Sequence, residues 1–429
     1  RASQPSSSPQ VSVGLVLRFA GGLVADRQED VKQPVAAVVI WAFVVAGLVA
    51  RAEYVVSRSY AEVAEPPIVA DRSPTGVARG ELLFHSICLE CHGGPDGRPT
   101  GKHLDEVPKF LGDFYSANLV HPTEGVRKLS DGQIARAIRH GVLPDGRLSP
   151  AMSSFSAIGD ADVAAILGYM RSSTPVFDPA GEAQPHTKLT ITGALVITYA
   201  ASLQVRGQAS GVPVPPKAPS VEYGRYMVEV LDCATCHTEG FGDDKMHDPN
   251  AFAGGFDLVD PAGAKIWSKN ITPDEATGIG KWSVDDFERA VGRGITPDGY
   301  LVRRPMPLFS RLDRTDIEAI YAYLRTVPKV VRSNTAGGAP LQKPSVNDPP
   351  ELLFTNLGCI TCHGPNGPHR DKLANAAARS DEQIAEWILD PQASKPGSAM
   401  PSFKTVLTKD QALGLARYAK SRGSTIDRD

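Results

Sequence analysis

The pattern Cys-x-x-Cys-His occurs three times in this chain of 429 residues and constrains its fold more than any other feature. The copies read CLECH, CATCH and CITCH, at 88–92, 233–237 and 359–363. All six cysteines of the chain lie inside these motifs, so none is left for a structural disulfide elsewhere. We therefore expect the cysteines to have a chemical role at three fixed sites.

Each motif opens a segment built on the same plan. A short helical pattern precedes it, and a helix, a loop containing Met and a closing amphipathic helix follow it. The middle helices begin SDGQ, SVDD and SDEQ, and the Met loops read MSSF, MPLF and MPSF. Internal self-similarity of this kind predicts three tandem copies of one domain type. Convincing alternating strand patterns are absent, so the predicted fold class is all-α.

An apolar run near the amino end, Pro34 to Ala50, carries no charge over 17 residues. As a helix it would cover roughly 26 Å, enough for the hydrocarbon core of a bilayer. A buried core helix and an uncleaved signal segment are the alternatives. Because the 33 residues before it are too short and too rich in Ser and Gly to enclose a buried helix, we expect a transmembrane anchor.

The expected divisions follow from the repeats and from the Pro- and Gly-rich stretches between them. They are a cytoplasmic N-terminal segment at 1–33, the anchor at 34–50, domains at 76–173, 219–328 and 350–423, and linkers at 174–218 and 329–349. The first linker contains the weakly apolar segment Leu189 to Val205, which we expect to lie on the membrane surface or against a partner. The net charge of −3 gives no basic field for nucleic acid.

Four kinds of site use cysteine pairs at this spacing. Structural zinc needs four ligands, and three pairs in three separate repeats cannot be matched two by two. A redox dithiol would sit in a βαβ pattern, which is missing, and a disulfide across two residues would add little stability. Haem attachment accounts for all five positions: residues i and i+3 share one side of a helix, so two thiols can bind one porphyrin while His lies under the iron. The sequence predicts three covalent haem c groups.

The second axial ligand decides between electron transfer and catalysis, because an iron held by His and Met has no open position. Met152, Met306 and Met400 occupy the same place in the three repeats, one for each motif. Core packing is the usual role of Met and fits Met170 and Met227, which lie on amphipathic helices. Recurrence in register predicts that the other three are iron ligands.

With these motifs the chain resembles multihaem cytochromes c. The second segment, from VEYGRYMVEVLDCATCHTEGF to MPLFSRLDRTDIEAIYAYLRTVP, resembles domains of the triple-haem cytochrome subunits of membrane-bound bacterial alcohol and gluconate dehydrogenases. The resemblance implies three tandem cytochrome c domains. The thioether residues would be Cys88, Cys91, Cys233, Cys236, Cys359 and Cys362. The iron ligands would be His92, His237 and His363 on one side, with Met152, Met306 and Met400 on the other.

The resemblance also implies that haem attachment takes place on the periplasmic face of the cytoplasmic membrane. All three domains then share one side, which argues against a second span at Leu189 to Val205. The amino-terminal anchor departs from the dehydrogenase subunits and favours a different membrane assembly.

The expected function is electron transfer within a respiratory or photosynthetic complex, without a catalytic site of its own. Other subunits of that complex, a redox donor and acceptor, and membrane lipid are the expected partners. The alternative is the electron-accepting subunit of a quinoprotein or flavoprotein dehydrogenase. A haem peroxidase or a gas sensor, which would need an open iron, is more remote.

Overall fold

A computed structural model describes residues 32–426 apart from 95–97, 106, 151, 153–154, 202, 241–243, 260–264, 299–301, 303–304, 335–346, 358, 365–368, 396–397, 399 and 405. The predicted segment 1–33 therefore lies almost wholly outside the described residues. The chain separates into two units, Arg1–Arg51 and Ala52–Asp429. All contacts given below lie within the second unit.

The apolar run forms a helix, α1 (Lys32–Ser57). Ala37–Ser57 is long and apolar enough to cross a membrane, and only 6% of its most apolar window is buried. Large side chains such as Ile40 and Phe43 stand exposed. The helix continues beyond Ala50, where the predicted anchor ends, because the polar residues that follow are also good helix formers.

The first repeat contains α2 (Pro74–Leu83), a π-helical turn (Phe84–Cys88), α3 (Leu89–His92), α4 (Asp131–His140) and α5 (Asp160–Arg171). The second contains α6 (Val221–Val230), α7 (Cys233–His237), α8 (Val284–Arg293) and α9 (Arg314–Leu324). The third contains α10 (Pro350–Asn356), α11 (Cys359–His363), α12 (Asp381–Leu389), α13 (Pro391–Ser394) and α14 (Lys409–Ile426). Short 3-10 turns lie at Val126–Lys128, Pro175–Phe177, Lys245–His247 and Arg370–Ala378.

Helices dominate the described residues, but two small antiparallel ribbons qualify the all-α prediction. Strand β1 (Gly112–Asp113) pairs with β2 (Lys188–Leu189), and β3 (Asp257–Val259) pairs with β4 (Lys265–Trp267). With two or three residues in each strand, none is long enough to show an alternating pattern in the sequence. They fasten loops between the helices of the first two repeats.

The middle helix of every repeat starts in the same way. Ser130, Ser283 and Ser380 are the N-caps of α4, α8 and α12, and each forms a reciprocal capping box with the third helical residue. This arrangement satisfies two backbone donors that a helix start would otherwise leave without partners. The three sequence signals SDGQ, SVDD and SDEQ therefore mark real helix starts.

In the first two repeats the opening and closing helices cross at a glycine. A Cβ atom on Gly80 of α2 would lie 1.9 Å from the Ala165 carbonyl oxygen of α5, and one on Gly224 of α6 would lie 1.8 Å from that of Ala319 in α9. Ala165 and Ala319 hold the same place in their helices. Only a residue without a side chain allows the backbones to approach this closely.

The apolar core is not divided into three. One cluster of buried residues runs through the first two repeats, from Leu83 and Ile166 to Met227 and Ile320. A second cluster, which includes Leu353, Phe403 and Leu415, belongs to the third repeat. The length of the chain is sufficient for each domain to bury its own apolar core. In the structure, however, the first two repeats share one core. The division at the predicted domain boundaries stays a prediction.

The segment from Leu189 to Val205 folds against the first repeat. It contains a short helix, Ile191–Leu195, followed by a π-helical turn, Val196–Ala200. Ala194 is buried, and a Cβ atom on Gly193 would lie 1.8 Å from the Leu111 carbonyl oxygen. The side chains of Ile191 and Tyr199, in the same segment, are exposed.

Candidate haem-binding sites

Each Cys-x-x-Cys-His motif forms a short helix, but the chain enters the three helices differently. In the first repeat a π-helical turn, Phe84–Cys88, joins α2 directly to α3. In the second repeat Asp232 takes the left-handed conformation, with φ 55°, and interrupts the helical backbone between α6 and α7. Both devices change the direction of the chain just before or at the first cysteine. The repeat pattern in the sequence did not indicate either of these two local structures.

The histidines of all three motifs are held in the same tautomer. Nδ1 of His92 lies 2.8 Å from the Ala117 carbonyl oxygen, Nδ1 of His237 lies 2.7 Å from that of Lys269, and Nδ1 of His363 lies 2.9 Å from that of His369. A carbonyl oxygen can only accept, so Nδ1 must carry the proton in each ring. The lone pair is therefore on Nε2, the arrangement that a metal-binding histidine requires.

Burial keeps two of these rings neutral. It lowers the pKa of His92 and that of His237 below the ordinary histidine value, although the Nδ1 hydrogen bonds to Ala117 and Lys269 act in the opposite direction. A neutral imidazole is the form that binds a metal ion.

The loops that supply the accepting carbonyls in the first two repeats are fixed by matching residues. Gly101 and Gly254 donate their backbone N–H to the carbonyl oxygens of His92 and His237. Asn118 and Asn270, next to the accepting residues, donate Nδ2 to the carbonyl oxygens of Ala180 and Val330. These hydrogen bonds of Asn118 and Asn270 stabilise the loops that carry the accepting carbonyls. The register of the asparagines in the sequence was a usable signal, whereas the glycines follow their histidines at different distances and gave none.

No disulfide joins any of the six cysteines. Burial raises the pKa of Cys88, Cys233 and Cys359, the first cysteine of each motif, to about 12, and a neighbouring Asp or Cys adds to the effect. These three thiols are therefore protonated at neutral pH when no group is bound to them. Within the described residues no three His, Cys, Asp or Glu side chains group as they would around a metal ion.

The second cysteines of the first two motifs approach each other. Desolvation by the surrounding protein raises the pKa of the Cys236 thiol to about 12, although the residue keeps exposed surface, and nearby Asp232 and Cys91 raise it further. Cys91 belongs to the first motif, so the thiols of Cys91 and Cys236 lie close enough to interact electrostatically across the boundary between the repeats.

The three methionines occupy loops that are tied to the middle helices in one way. The Phe three residues after each Met donates its backbone N–H to the eighth residue of the middle helix: Phe155 to Ile138, Phe309 to Val291 and Phe403 to Ile388. Met152, Met306 and Met400 are all half-buried. Met170 and Met227, by contrast, are fully packed in the shared core.

These residues fit a covalently bound haem. Each repeat places two cysteines at i and i+3 of a helix, a histidine whose Nε2 carries the lone pair, and a Met loop in constant register. The chemistry of this donor set, a thioether pair with nitrogen and sulfur ligands, is that of haem c.

Comparisons with known proteins identify the first two repeats. Residues 75–170 match the family described as cytochrome C oxidase, cbb3-type, subunit III, and residues 221–328 match the family described as cytochrome c. The third repeat lies outside both matched regions.

The chain is similar to several known proteins. It is 35% identical over 147 residues to the fructose dehydrogenase cytochrome subunit of Gluconobacter japonicus, which covers 33% of this chain and 29% of that protein. It is 28% identical over 381 residues to one of the subunits of nicotinate dehydrogenase from Pseudomonas putida, covering 83% of this chain and 31% of the relative. A diheme cytochrome c-type protein of Cereibacter sphaeroides is 29% identical over 271 residues, 60% of this chain and 88% of the relative.

The matched regions span about three tenths of the length of the first two relatives. The resemblance that the motifs indicated is confirmed. The chain contains cytochrome c domains, which bind haem c covalently, and it is homologous to the cytochrome c subunits of fructose, alcohol and gluconate dehydrogenases.

Proposed function

We propose that this chain is a membrane-anchored electron carrier with three covalent haem c groups, one at each Cys-x-x-Cys-His motif. The observation that carries the proposal is the threefold recurrence of one arrangement: His92, His237 and His363 each follow a cysteine pair and donate Nδ1–H to a backbone carbonyl. The recurrence includes the third repeat. Haem supplies a one-electron iron couple when bound.

The side chains would hold and tune that couple. Cys88 and Cys91, and their counterparts in the other repeats, would form the thioether bonds. The Nδ1 hydrogen bond orients each imidazole and increases its basicity. Met152, Met306 and Met400 would occupy the other axial position, which raises the reduction potential and leaves no place for peroxide or oxygen. Closed sites of this kind favour electron transfer over catalysis.

The exposed apolar helix α1 supports membrane attachment. Charged groups are scarce along Ala37–Ser57, and most of its large apolar side chains are exposed. We place it in the cytoplasmic membrane with the haem domains on the periplasmic face. The exposed Ile191 and Tyr199 of the first linker would then meet the membrane surface or a partner subunit.

A dehydrogenase is the favoured donor. The relatives are named as cytochrome subunits of fructose, alcohol and gluconate dehydrogenases, so the protein would accept electrons from a catalytic subunit of that kind. A respiratory or photosynthetic complex without a dehydrogenase is the second candidate. It is favoured by the anchor, since α1 precedes the first haem domain and joins the carrier directly to the membrane.

The proposal is tested by spectra of the detergent-solubilised protein in its oxidised and reduced forms, together with a pyridine haemochrome count. Three low-spin haems per chain that are reduced reversibly, in material that leaves the membrane only with detergent, are the expected result. A count below three would show that at least one of the three motifs does not hold haem. A high-spin component would show an open iron and favour peroxide or gas binding.

A further inference from the structure

A buried ionic network joins the first two repeats. Arg79 of α2 makes a bidentate contact with Asp162 of α5, with Nε 2.9 Å and Nη2 2.7 Å from the two carboxylate oxygens. Its Nη1 lies 4.0 Å from the carboxylate of Asp316 in α9, and 3.3 Å from the hydroxyl of Tyr223 in α6. The Asp162 side chain is 5% exposed and that of Asp316 is fully buried. One guanidinium therefore faces buried carboxylates from both repeats.

Two tyrosines of the second repeat and Lys217, whose Nζ lies 3.0 Å from the Asp316 carboxylate, also belong to the network. Tyr226 donates its hydroxyl to Asp162 at 2.7 Å and accepts from the Gly159 backbone N–H at 3.0 Å, so it bonds the first repeat twice. Tyr223 donates to Asp316 at 2.7 Å. A buried carboxylate that loses its partners carries a large desolvation penalty. Separating the repeats would remove Tyr226 from Asp162 and leave Arg79 without its second carboxylate.

The network uses equivalent positions of the two repeats. Arg79 and Tyr223 each precede the glycine at which their helix crosses the closing helix, and Asp162 and Asp316 each lie in the first turn of that closing helix. A carboxylate in the first turn is stabilised by the helix dipole. The third repeat does not take part, because the first-turn acid of its closing helix, Asp410, is exposed.

Contacts on either side of the network bind the same two repeats. Arg311 forms an ion pair with Glu81 at 2.9 Å. The apolar cluster that surrounds the network is continuous from one repeat to the other, while the third repeat has a cluster of its own. The first two motifs are therefore carried by one packed body, in which Cys91 and Cys236 approach each other.

We propose that Arg79 is a positioning residue that fixes the separation and orientation of the first two haem sites, and that these two sites work as a coupled pair distinct from the third. The inference rests on the proposed function, since a pair exists only if both motifs hold haem. Coupling of this kind allows an electron that enters one site of the pair to reach the other without any domain movement.

The test is pulsed electron spin resonance of the oxidised full-length protein in detergent, which measures distances between low-spin ferric centres. One narrow distance component, from the fixed pair, is expected in the unaltered protein. Arg79→Met keeps an unbranched apolar side chain but removes the charged guanidinium, and the narrow component should be lost while three low-spin haems remain. Arg79→Lys retains a positive charge and should keep the component.

Two further variants make the result decisive. Tyr226→Phe removes one hydroxyl at the same boundary and should broaden the component even if Arg79→Met fails to accumulate. Arg417→Met breaks an exposed ion pair with Asp381 in the third repeat and should change nothing. A protein with three haems but without a narrow component, or one that keeps it unchanged in both Arg79→Met and Tyr226→Phe, overturns the inference. Fewer than three haems would instead refute the proposed function, and the pair would be refuted with it if the missing haem belongs to the first or the second motif.

Discussion

At the scale of single residues, the candidate sites depend on protons that the fold places. His92, His237 and His363 come next to a cysteine in the sequence, but their tautomer is set by carbonyl groups 25, 32 and 6 residues further along the chain. A histidine without such an acceptor could carry its proton on either nitrogen. The local motif therefore identifies the histidine as a candidate ligand. A loop elsewhere in the chain fixes its Nδ1 proton and so leaves Nε2 able to bind a metal.

Replacing a proposed axial methionine should remove one third of the weak far-red absorption that Met–iron bonds give in the oxidised protein. Met152→Leu, Met306→Leu and Met400→Leu nearly conserve side-chain volume, so each is expected to change ligation without a large loss of stability. The measurement is the far-red absorbance per haem.

Met170→Leu is the matched control. Met170 is packed in the core with 3% exposure, so its replacement should leave the far-red band unchanged. If one of the three loop variants kept the full band, its Met would not be an iron ligand.

At the scale of helices, the first two repeats share a backbone crossing that a side chain would disrupt. Gly80 and Gly224 are both helical, where glycine is intrinsically unfavourable by about 1 kcal/mol relative to alanine. Their presence is explained by the carbonyl oxygens of Ala165 and Ala319, which leave no room for a Cβ atom. Packing here outweighs helix propensity.

Gly80→Ala and Gly224→Ala should each lower the free energy of unfolding by about 2–4 kcal/mol, because the two helices must move apart and their packing is lost. Chemical denaturation followed by circular dichroism measures the change.

Gly292→Ala provides the comparison within helix α8. A Cβ atom there would lie 3.9 Å from the Phe309 carbonyl oxygen, an ordinary contact, so stability should stay the same or rise by up to about 1 kcal/mol. Equal effects at Gly80 and Gly292 would show that the helix crossing is not the cause.

At the scale of the whole molecule, the repeats are grouped as two and one. The shared core and the network around Arg79 unite the first two, and the third has a separate cluster. Elements that share a core usually unfold together, whereas separate cores can unfold independently.

Unfolding of the holoprotein should therefore show two transitions. Ile166→Ala in the shared core should lower only the transition of the first two repeats, and Leu415→Ala only that of the third, each by about 2–5 kcal/mol. Both side chains are almost fully buried, at 1% and 2% exposure, so the substitutions are matched. Calorimetry would contradict the grouping if both variants moved the same transition.

The sequence by itself determined what is local. The Cys-x-x-Cys-His motifs, the Ser capping boxes, the Met loops and the apolar helix α1 were all readable, because each depends on residues within a few turns of one another. Cytochrome c domains followed from these features and are confirmed by the relatives. The electron-transfer role stays a proposal. The axial role of the three methionines stays a prediction.

Only the tertiary structure decided how the repeats meet. Arg79 and Asp162 are 83 positions apart, and Tyr226 reaches Asp162 across 64. Nothing in either local pattern distinguishes these residues from ordinary surface charges and core aromatics. Their partnership arises because close packing brings two helix pairs together and because a buried carboxylate must then find donors from both. The same long-range packing selects the carbonyls that orient the histidines.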